Sequence, residues 1–235
     1  AYDPTNTQTF YIGTGEIYSG ASRGFGIWKT TNAGVEWTRL TSTENFLWVN
    51  DIVVRNEESE IGVVYAALGN TNYQELPGNW PNGYEGLYRS IDGGNNWSQV
   101  LPNVTDYAVP YQPSDIEIDK DDNIWIGTKQ NSYGYGGGYI LKSTSGNLGS
   151  WSSRSFAGAN RVELACAPSN ANVVYAVGSG GSGDNDVEFM VKTADGGINW
   201  STITVPLSLI DGNHFTRGQA WYDLILAVDP NDKDV

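Results

Sequence analysis

The chain has 235 residues, of which 39% are hydrophobic and 17% charged, and it contains 29 glycines and 9 tryptophans. This composition excludes a disordered chain and favours one large β-rich domain over two small ones. Lys and Arg total 13 against 27 Asp and Glu, a formal net charge of −14, so neither nucleic acid nor an anionic membrane surface is an expected partner.

The first predicted strands, in chain order, are Phe10-Tyr-Ile-Gly-Thr14 and Gly26-Ile-Trp-Lys29. Both are short aromatic and β-branched runs of the kind that form strands, and a turn separates the second run from Trp37. Both patterns recur three times, at 64–68, 124–128 and 174–178, and at 86–97, 139–151 and 189–200. The basic residues of the second pattern lie 60, 53 and 50 residues apart: Lys29, Arg89, Lys142 and Lys192.

A third pattern opens each later unit. It reads Asp51-Ile-Val-Val in the second unit and recurs at 115–118, 163–166 and 223–226. Each unit therefore offers four short strands, which we label A to D, with strand D beginning at the tryptophan that follows the turn. Because four antiparallel strands repeated at this period are typical of a propeller blade, we predict an all-β β-propeller with four-stranded antiparallel blades.

The predicted repeats span approximately 3–50, 51–110, 111–160 and 161–222 of a single domain, 1–235, and residues 223–235 would begin a further blade. Asp3-Pro4 and Asp229-Pro230 are the same landmark, one full set of repeats apart. Two arrangements follow from this. Either 223–228 joins the first blade and closes a four-bladed ring, or the chain is part of a larger propeller with further domains of the same polypeptide. We favour the second, because the chain stops where the next strand B is due.

The turn between strands C and D carries Ser90, Asp92, Gly94 and Trp97 in the second repeat, and the same pattern at 193–200 in the fourth. It resembles the Asp-box of the bacterial neuraminidase repeat family. There, a short acidic or amide side chain accepts bonds from turn N–H groups, glycine permits positive φ, and the indole buries an apolar face. We predict a structural role, repeated in every blade, for seven residues: Asn32, Trp37, Asp92, Trp97, Trp151, Asp195 and Trp200.

Longer segments are similar to sortilin-like and xyloglucanase-type propellers of secreted Bacteroidetes proteins, among them Tyr11-Ile-Gly-Thr-Gly-Glu16, 115–128 and Gly218-Gln-Ala-Trp-Tyr-Asp223. Proteins of that kind often carry a type IX sorting signal. The resemblance therefore implies a protein that is secreted or held at the cell surface. It implies no defined activity.

The B-to-C loops vary in length while the strands repeat, which is typical of a scaffold that carries its function on its connections. These loops interleave aromatic rings with Asn, Gln, Ser and Gly, a mixture suited to the apolar faces and hydroxyl edges of a glycan. The alternative is that the rings pack the loops against each other. The predicted ligand-binding residues are Tyr18, Tyr73, Trp80, Tyr84, Tyr133 and Tyr135.

Carboxylates at the repeated start of strand A, namely Asp51, Asp115, Glu163 and Asp223, are first interpreted as structural hydrogen-bond acceptors. Acids outside the repeat are the better catalytic candidates, because a glycosidase needs two carboxyl groups about 5 to 10 Å apart. A sialidase is disfavoured, since no Arg-Ile-Pro segment stands near the start. The weak catalytic candidates are Glu16, Glu75, Glu85, Asp184 and Asp186.

Metal and cofactor signals are weaker. His214 is the single histidine and Cys166 the single cysteine, so neither a His-based zinc site nor a thiolate cage is expected. The acidic runs 119–123 and 184–186 could hold calcium, although neither has EF-hand spacing, and no cofactor is predicted. The sequence favours a non-catalytic extracellular module that binds a glycan or protein partner. The alternative is part of a glycoside hydrolase that acts through paired carboxylates.

Overall fold

A computed structural model describes residues 1–18, 23–57, 60–70, 84–180, 186–210 and 214–235. These residues form sixteen β-strands and one short 3₁₀ helix, Thr41–Thr43. Among them there is no helix with the length and apolar character needed to cross a membrane. The all-β class predicted from the repeats is confirmed.

The strands pair antiparallel in four consecutive sets of four, which we call blades 1 to 4. Blade 1 contains β1 (Tyr2–Asp3), β2 (Asn6–Gly13), β3 (Ile27–Thr30) and β4 (Thr38–Arg39). Blade 2 contains β5 (Val49–Glu57), β6 (Glu60–Leu68), β7 (Gly86–Ser90) and β8 (Ser98–Gln99).

Blade 3 contains β9 (Gln112–Ile118), β10 (Ile124–Lys129), β11 (Tyr139–Ser143) and β12 (Ser152–Ser155). Blade 4 contains β13 (Ala159–Cys166), β14 (Val174–Gly180), β15 (Val187–Thr193) and β16 (Ser201–Ile203). A single pairing of Lys129 with Arg161 joins blades 3 and 4 into one continuous sheet.

The first strand of each blade is its inner strand, since β5 lies beside β9 and β9 lies beside β13. Their repeated acids link neighbouring blades. Asp51 Oδ2 accepts a bond of 3.0 Å from Ile116 N, and Asp115 Oδ2 accepts one of 2.7 Å from Leu164 N. The predicted structural role of these two carboxylates as acceptors is confirmed.

The fourth copy of the strand A pattern behaves differently. Residues 223–226 form no strand, and Asp223 is exposed. The segment instead packs through Leu224 and Leu226 on a small apolar cluster around Val177 and Ala220. Burial of side chains, and not strand pairing, therefore holds this segment on blade 4. The strand predicted over 223–226 and the inner-strand acceptor predicted at Asp223 are absent.

Three apolar cores lie between successive blades. Tyr11 and Ile27 of blade 1 pack with Ile52 and Val64 of blade 2, and similar clusters join blades 2 and 3 and blades 3 and 4. Fully burying one large apolar side chain contributes about 1.5–3 kcal/mol, so these joints supply much of the stability. Close packing also fixes a glycine: a Cβ at Gly127 would overlap the carbonyl oxygen of Val162 in blade 4.

The C-to-D turns of blades 2 and 4 share one hydrogen-bond pattern. Asp92 Oδ1 accepts bonds of 2.9 Å from the backbone N–H groups of Asn95 and Asn96, while Trp97 Nε1 donates to Gly94 O at 3.1 Å. Asp195 and Trp200 repeat this in blade 4. In blade 1 the amide oxygen of Asn32 accepts from Glu36 N, and in blade 3 the indole N–H of Trp151 is buried without an acceptor among the described residues.

Candidate functional site

The B-to-C connections begin after β2, β6, β10 and β14, at the edge of the blades where the D-to-A connections also lie, and we call this edge the loop face. The C-to-D turns lie at the opposite edge, because strand C runs from one to the other. Four of the predicted site residues lie outside the described residues: Tyr73, Glu75, Trp80 and Asp184.

Tyr18 lies against two cations from distant parts of the chain. Its ring centroid is 4.6 Å from Arg161 Cζ and 5.4 Å from Lys129 Nζ. Burial raises the pKa of the Tyr18 hydroxyl well above its ordinary value, with opposing effects from Arg161 and Glu163. This tyrosine, predicted as a ligand-binding ring, therefore already has one face occupied by a guanidinium group.

Arg161 is almost wholly buried, with 6% of its surface exposed. Its Nη2 forms an ion pair with Glu163, whereas its Nε and Nη1 have no acceptor among the described residues. Burial raises the pKa of Glu163 to about 7, although the guanidinium group acts in the other direction. Glu163 thus pairs with this arginine, whereas Asp51 and Asp115 accept hydrogen bonds from the backbone of a neighbouring blade.

Glu85 is the most buried of the predicted catalytic candidates in the described part of the chain, with 7% of its surface exposed. Its two carboxylate oxygens each accept a bond of 3.2 Å from Ser132, one from the backbone N–H and one from the hydroxyl. Burial raises the pKa of Glu85 to about 7, and the bonds from Ser132 and the charge of Lys129 limit that rise. A carboxyl group of this kind can hold a proton near neutral pH.

Glu16 follows a strand of blade 1 and Glu85 precedes a strand of blade 2, yet both carboxylates affect the pKa of the same ammonium group, that of Lys129. Burial lowers the pKa of Lys129, Arg161 lowers it further, and both carboxylates oppose the decrease. Glu16 also accepts a hydrogen bond from the backbone N–H of Tyr18. Two predicted acids, two cations and one tyrosine are therefore brought together on the loop face.

Asp186 has a local structural role. Its Oδ1 accepts bonds from Thr216 Oγ1 at 2.8 Å and Gly218 N at 2.6 Å. Burial acts to raise its pKa, but these two bonds and the nearby His214 outweigh burial and hold the pKa below its ordinary value. The carboxylate fastens the start of β15 to the segment that follows blade 4.

A compact loop after β10 presents two of the predicted tyrosines. Asn131 Oδ1 accepts bonds from Tyr133 N at 3.0 Å and Tyr135 N at 2.9 Å, while its Nδ2 donates to Pro110 O at 2.7 Å. Gly134, with a φ of 86°, lets the chain turn between the two rings. Tyr133 is 63% exposed, so its side chain projects into solvent.

Tyr135 stacks on Tyr107, with ring centroids 3.9 Å apart and planes inclined by 24°. The sequence did not single out Tyr107, because it stands in a D-to-A connection with no repeated pattern. The stacked pair lines a cavity of about 270 Å³, and the other polar and aromatic lining residues are Gln130, Tyr139 and Asn160. Asn160 Oδ1 is buried without a donor among the described residues. We call this cavity the tyrosine cleft.

Tyr84 takes part in packing. Its ring contacts Phe46 at 5.7 Å and Tyr88 at 5.5 Å between centroids, although 44% of the side chain is exposed. For this residue, mutual packing of aromatic rings accounts for the position.

The described residues contain no group of three or more His, Cys, Asp or Glu side chains placed to hold a metal ion. The Cys166 thiol is buried, and burial raises its pKa.

Four-stranded sheets arranged with adjoining inner strands define a β-propeller, and comparison with known proteins agrees. A crystal structure of a GH74 enzyme from Niastella koreensis superposes with a TM-score of 0.59 at 20% identity, covering 86% of this chain and 28% of that one. A GH74 xyloglucanase from Xanthomonas campestris gives 0.59 at 16% identity, covering 88% and 29%.

Among curated proteins, the xyloglucanase Xgh74A of Acetivibrio thermocellus is 29% identical over 125 residues. That match covers 49% of this chain but 13% of the relative, so the chain corresponds to a small part of these longer proteins. No family profile matches the chain. These similarities show that the chain has a propeller fold. The xyloglucanase activity in the names of the similar enzymes is a property of those proteins.

Proposed function

We propose that this chain is a propeller module that binds a neutral glycan in the tyrosine cleft on its loop face. The observation that carries the proposal is the stacked pair Tyr107 and Tyr135 beside the amide groups of Gln130 and Asn160. Aromatic rings match the C–H faces of a sugar, and amides match its hydroxyl groups.

Likeness to enzymes named xyloglucanases supports a β-glucan such as xyloglucan as the first ligand to test. Affinity electrophoresis in gels that contain xyloglucan should retard the chain. A double variant, Tyr107→Ala with Tyr135→Ala, should lose the retardation, whereas Tyr2→Ala, at an exposed tyrosine of blade 1, should keep it. An unretarded chain with every β-glucan and host glycan in a panel, or a retarded double variant, would contradict the proposal. A chain that binds a protein and no glycan would show that the aromatic residues of the loop face recognise a protein partner instead.

A second candidate is part of a glycoside hydrolase. It is favoured by Glu85, whose pKa of about 7 suits a general acid, and by Glu16, which acts on the same lysine. New reducing ends released from the same polysaccharides, and lost in Glu85→Gln, would establish this activity. Retention of the polysaccharide without cleavage would leave the binding module as the function.

We also propose that the C-to-D turns are Asp-boxes and that the protein is exported to the cell surface by type IX sorting, within a larger propeller of the same polypeptide. The acceptor geometry of Asp92 and Asp195 supports the Asp-boxes, and the chain's partial coverage of longer relatives supports the larger propeller. The proposed export rests only on the sequence resemblance to secreted propellers. Cell fractionation and surface proteolysis of the source bacterium would test the location. A protein found in the cytosol would contradict it.

A further inference from the structure

A second cavity lies beside the C-to-D turn of blade 4, away from the loop face. It measures about 220 Å³. Its floor is one face of the blade 3 sheet, where Lys142 is paired with Ser152 and Ile140 with Arg154. Opposite this floor stand Gly196, Gly197 and Trp200 of blade 4, and Trp125 closes the inner side. We call this cavity the joint pocket.

The joint pocket exists because blade 3 departs from the repeat. Arg154 follows the strand D tryptophan of blade 3, Trp151, by three residues. The residues at the same position are Leu40 in blade 1 and Val100 in blade 2. Leu40 lies directly against Gly94 of the next turn, and Val100 is buried in the core between blades 2 and 3. In blade 3 the equivalent residue is the exposed Arg154 rather than an apolar side chain, and the rings that pack against Trp200 are Phe156 and Trp125, with centroids 5.7 and 6.2 Å away.

The pocket is cationic in a strongly acidic protein. Lys142 and Arg154 are its charged lining residues, and no carboxylate of the described part of the chain lines it. The Lys142 ammonium lies 4.6 Å from the Trp125 ring centroid and donates to Gly196 O at 3.0 Å, which leaves it further N–H donors. Arg154 forms no ion pair among the described residues, and its guanidinium group rests 5.4 Å from the Phe156 ring centroid.

The remaining lining groups suit a sugar ring. Ser152 and Ser153 also line the pocket, and the half-buried indole of Trp200 offers an apolar surface. Arginine binds carboxylates through two parallel N–H groups, and an aromatic ring packs on the C–H face of a sugar. A volume of about 220 Å³ lies below the range for drug-sized ligands, which limits the occupant to about one sugar residue.

We propose that the joint pocket binds a single sugar residue that carries a carboxylate, a hexuronic acid, with the carboxylate on Arg154 and Lys142 and the ring against Trp200. This site is separate from the tyrosine cleft and does not depend on the proposed function. The probes are glucuronate and galacturonate, with glucose and acetate as the neutral and sugar-free comparisons.

Titration calorimetry on the whole chain should show saturable binding of one or both sugar acids. Glucose and acetate should bind at least about tenfold more weakly, since each lacks one of the two recognised parts. Arg154→Leu should weaken sugar-acid binding by at least about tenfold, because it removes the fork and restores the residue type of the other joints. The affinity of Arg154→Lys for the sugar acids should lie between those of the unchanged chain and Arg154→Leu, since lysine keeps the charge but lacks the two parallel N–H groups.

Lys120→Leu is the matched control, because it removes one exposed cation from another turn of blade 3 and should leave the affinity unchanged. Arg154→Leu should also keep the thermal midpoint, which shows that weaker binding does not come from unfolding. Three results would overturn the proposal: no saturable binding of either sugar acid, acetate bound as tightly as the sugar acids, or an Arg154→Leu variant that binds them as the unchanged chain does.

Discussion

The Lys29 ammonium donates a hydrogen bond of 3.0 Å to the carbonyl oxygen of Gly93, so a side chain from strand C of blade 1 ends in the C-to-D turn of blade 2. The same ammonium lies 5.2 Å from the ring centroid of Tyr11 on strand B. Lys142 and Gly196 repeat this bond, also at 3.0 Å, between blades 3 and 4. In blade 4 the equivalent Lys192 forms an ion pair with Asp234.

Replacing Lys29 with methionine should destabilise the chain by about 1–3 kcal/mol, because the Gly93 carbonyl loses its charged donor while the aliphatic stem is retained. Urea unfolding measures this change as a lower midpoint. Lys120→Met, which removes an exposed ammonium with only a 3.4 Å contact to Ser169 O, should have little effect. Equal midpoints for the two variants would show that the bond between the blades contributes nothing.

The repeat was sufficient to predict the blades, since every predicted strand B and strand C coincides with an observed strand, apart from Thr14 and Gly26 at strand ends. The candidate site was less accessible to sequence reasoning. Tyr18 was expected to offer an open ring, but Arg161, which stands 143 positions later, covers one face. Tyr107 and Arg154 matter through contacts with other connections and blades, and a repeat pattern records only what its copies share.

Trp97→Ala should cost about 3–5 kcal/mol, since the indole packs 5.4 Å from the Phe46 ring centroid and donates its N–H to Gly94 O. Trp37→Ala should cost much less, because Trp37 is 37% exposed on the outer side of blade 1. Thermal and urea unfolding of both variants measures the difference. A Trp97→Ala chain with an unchanged midpoint would remove the structural role assigned to the turn.

Gly127→Ala should destabilise the chain by about 1–3 kcal/mol, because the new methyl group would overlap the Val162 carbonyl oxygen and push blade 4 away from β10. Gly149→Ala is a useful comparison: among the described residues, no atom beyond its two chain neighbours lies within 4 Å of its Cβ position, so its cost comes only from a φ of 89°. Amide exchange should be faster in β13 of Gly127→Ala, and it should be unchanged there in Gly149→Ala. Unaltered exchange in both would contradict the close approach of the two blades.

The inner carboxyl groups predict that stability falls between pH 5.5 and pH 8.5. Burial raises the pKa of Asp51 to about 6, of Glu163 to about 7 and of Glu117 to about 8. Over this pH range the unfolded chain has already released these protons and the folded chain still holds some of them, so a rise in pH favours unfolding. Each pKa unit corresponds to about 1.4 kcal/mol.

Asp51→Asn isolates one part of this effect. The amide oxygen can still accept from Ile116 N, but the group no longer titrates, so the decrease in unfolding free energy from pH 5.5 to pH 8.5 should be smaller than in the unchanged chain. Groups with lowered pKa values, such as Asp92 at about 2, stay ionised throughout this range and do not contribute. Urea unfolding at several pH values gives both slopes. Because the burial of Asp51 is the cause of its raised pKa, equal slopes for the two chains would show that this carboxylate is already ionised when folded.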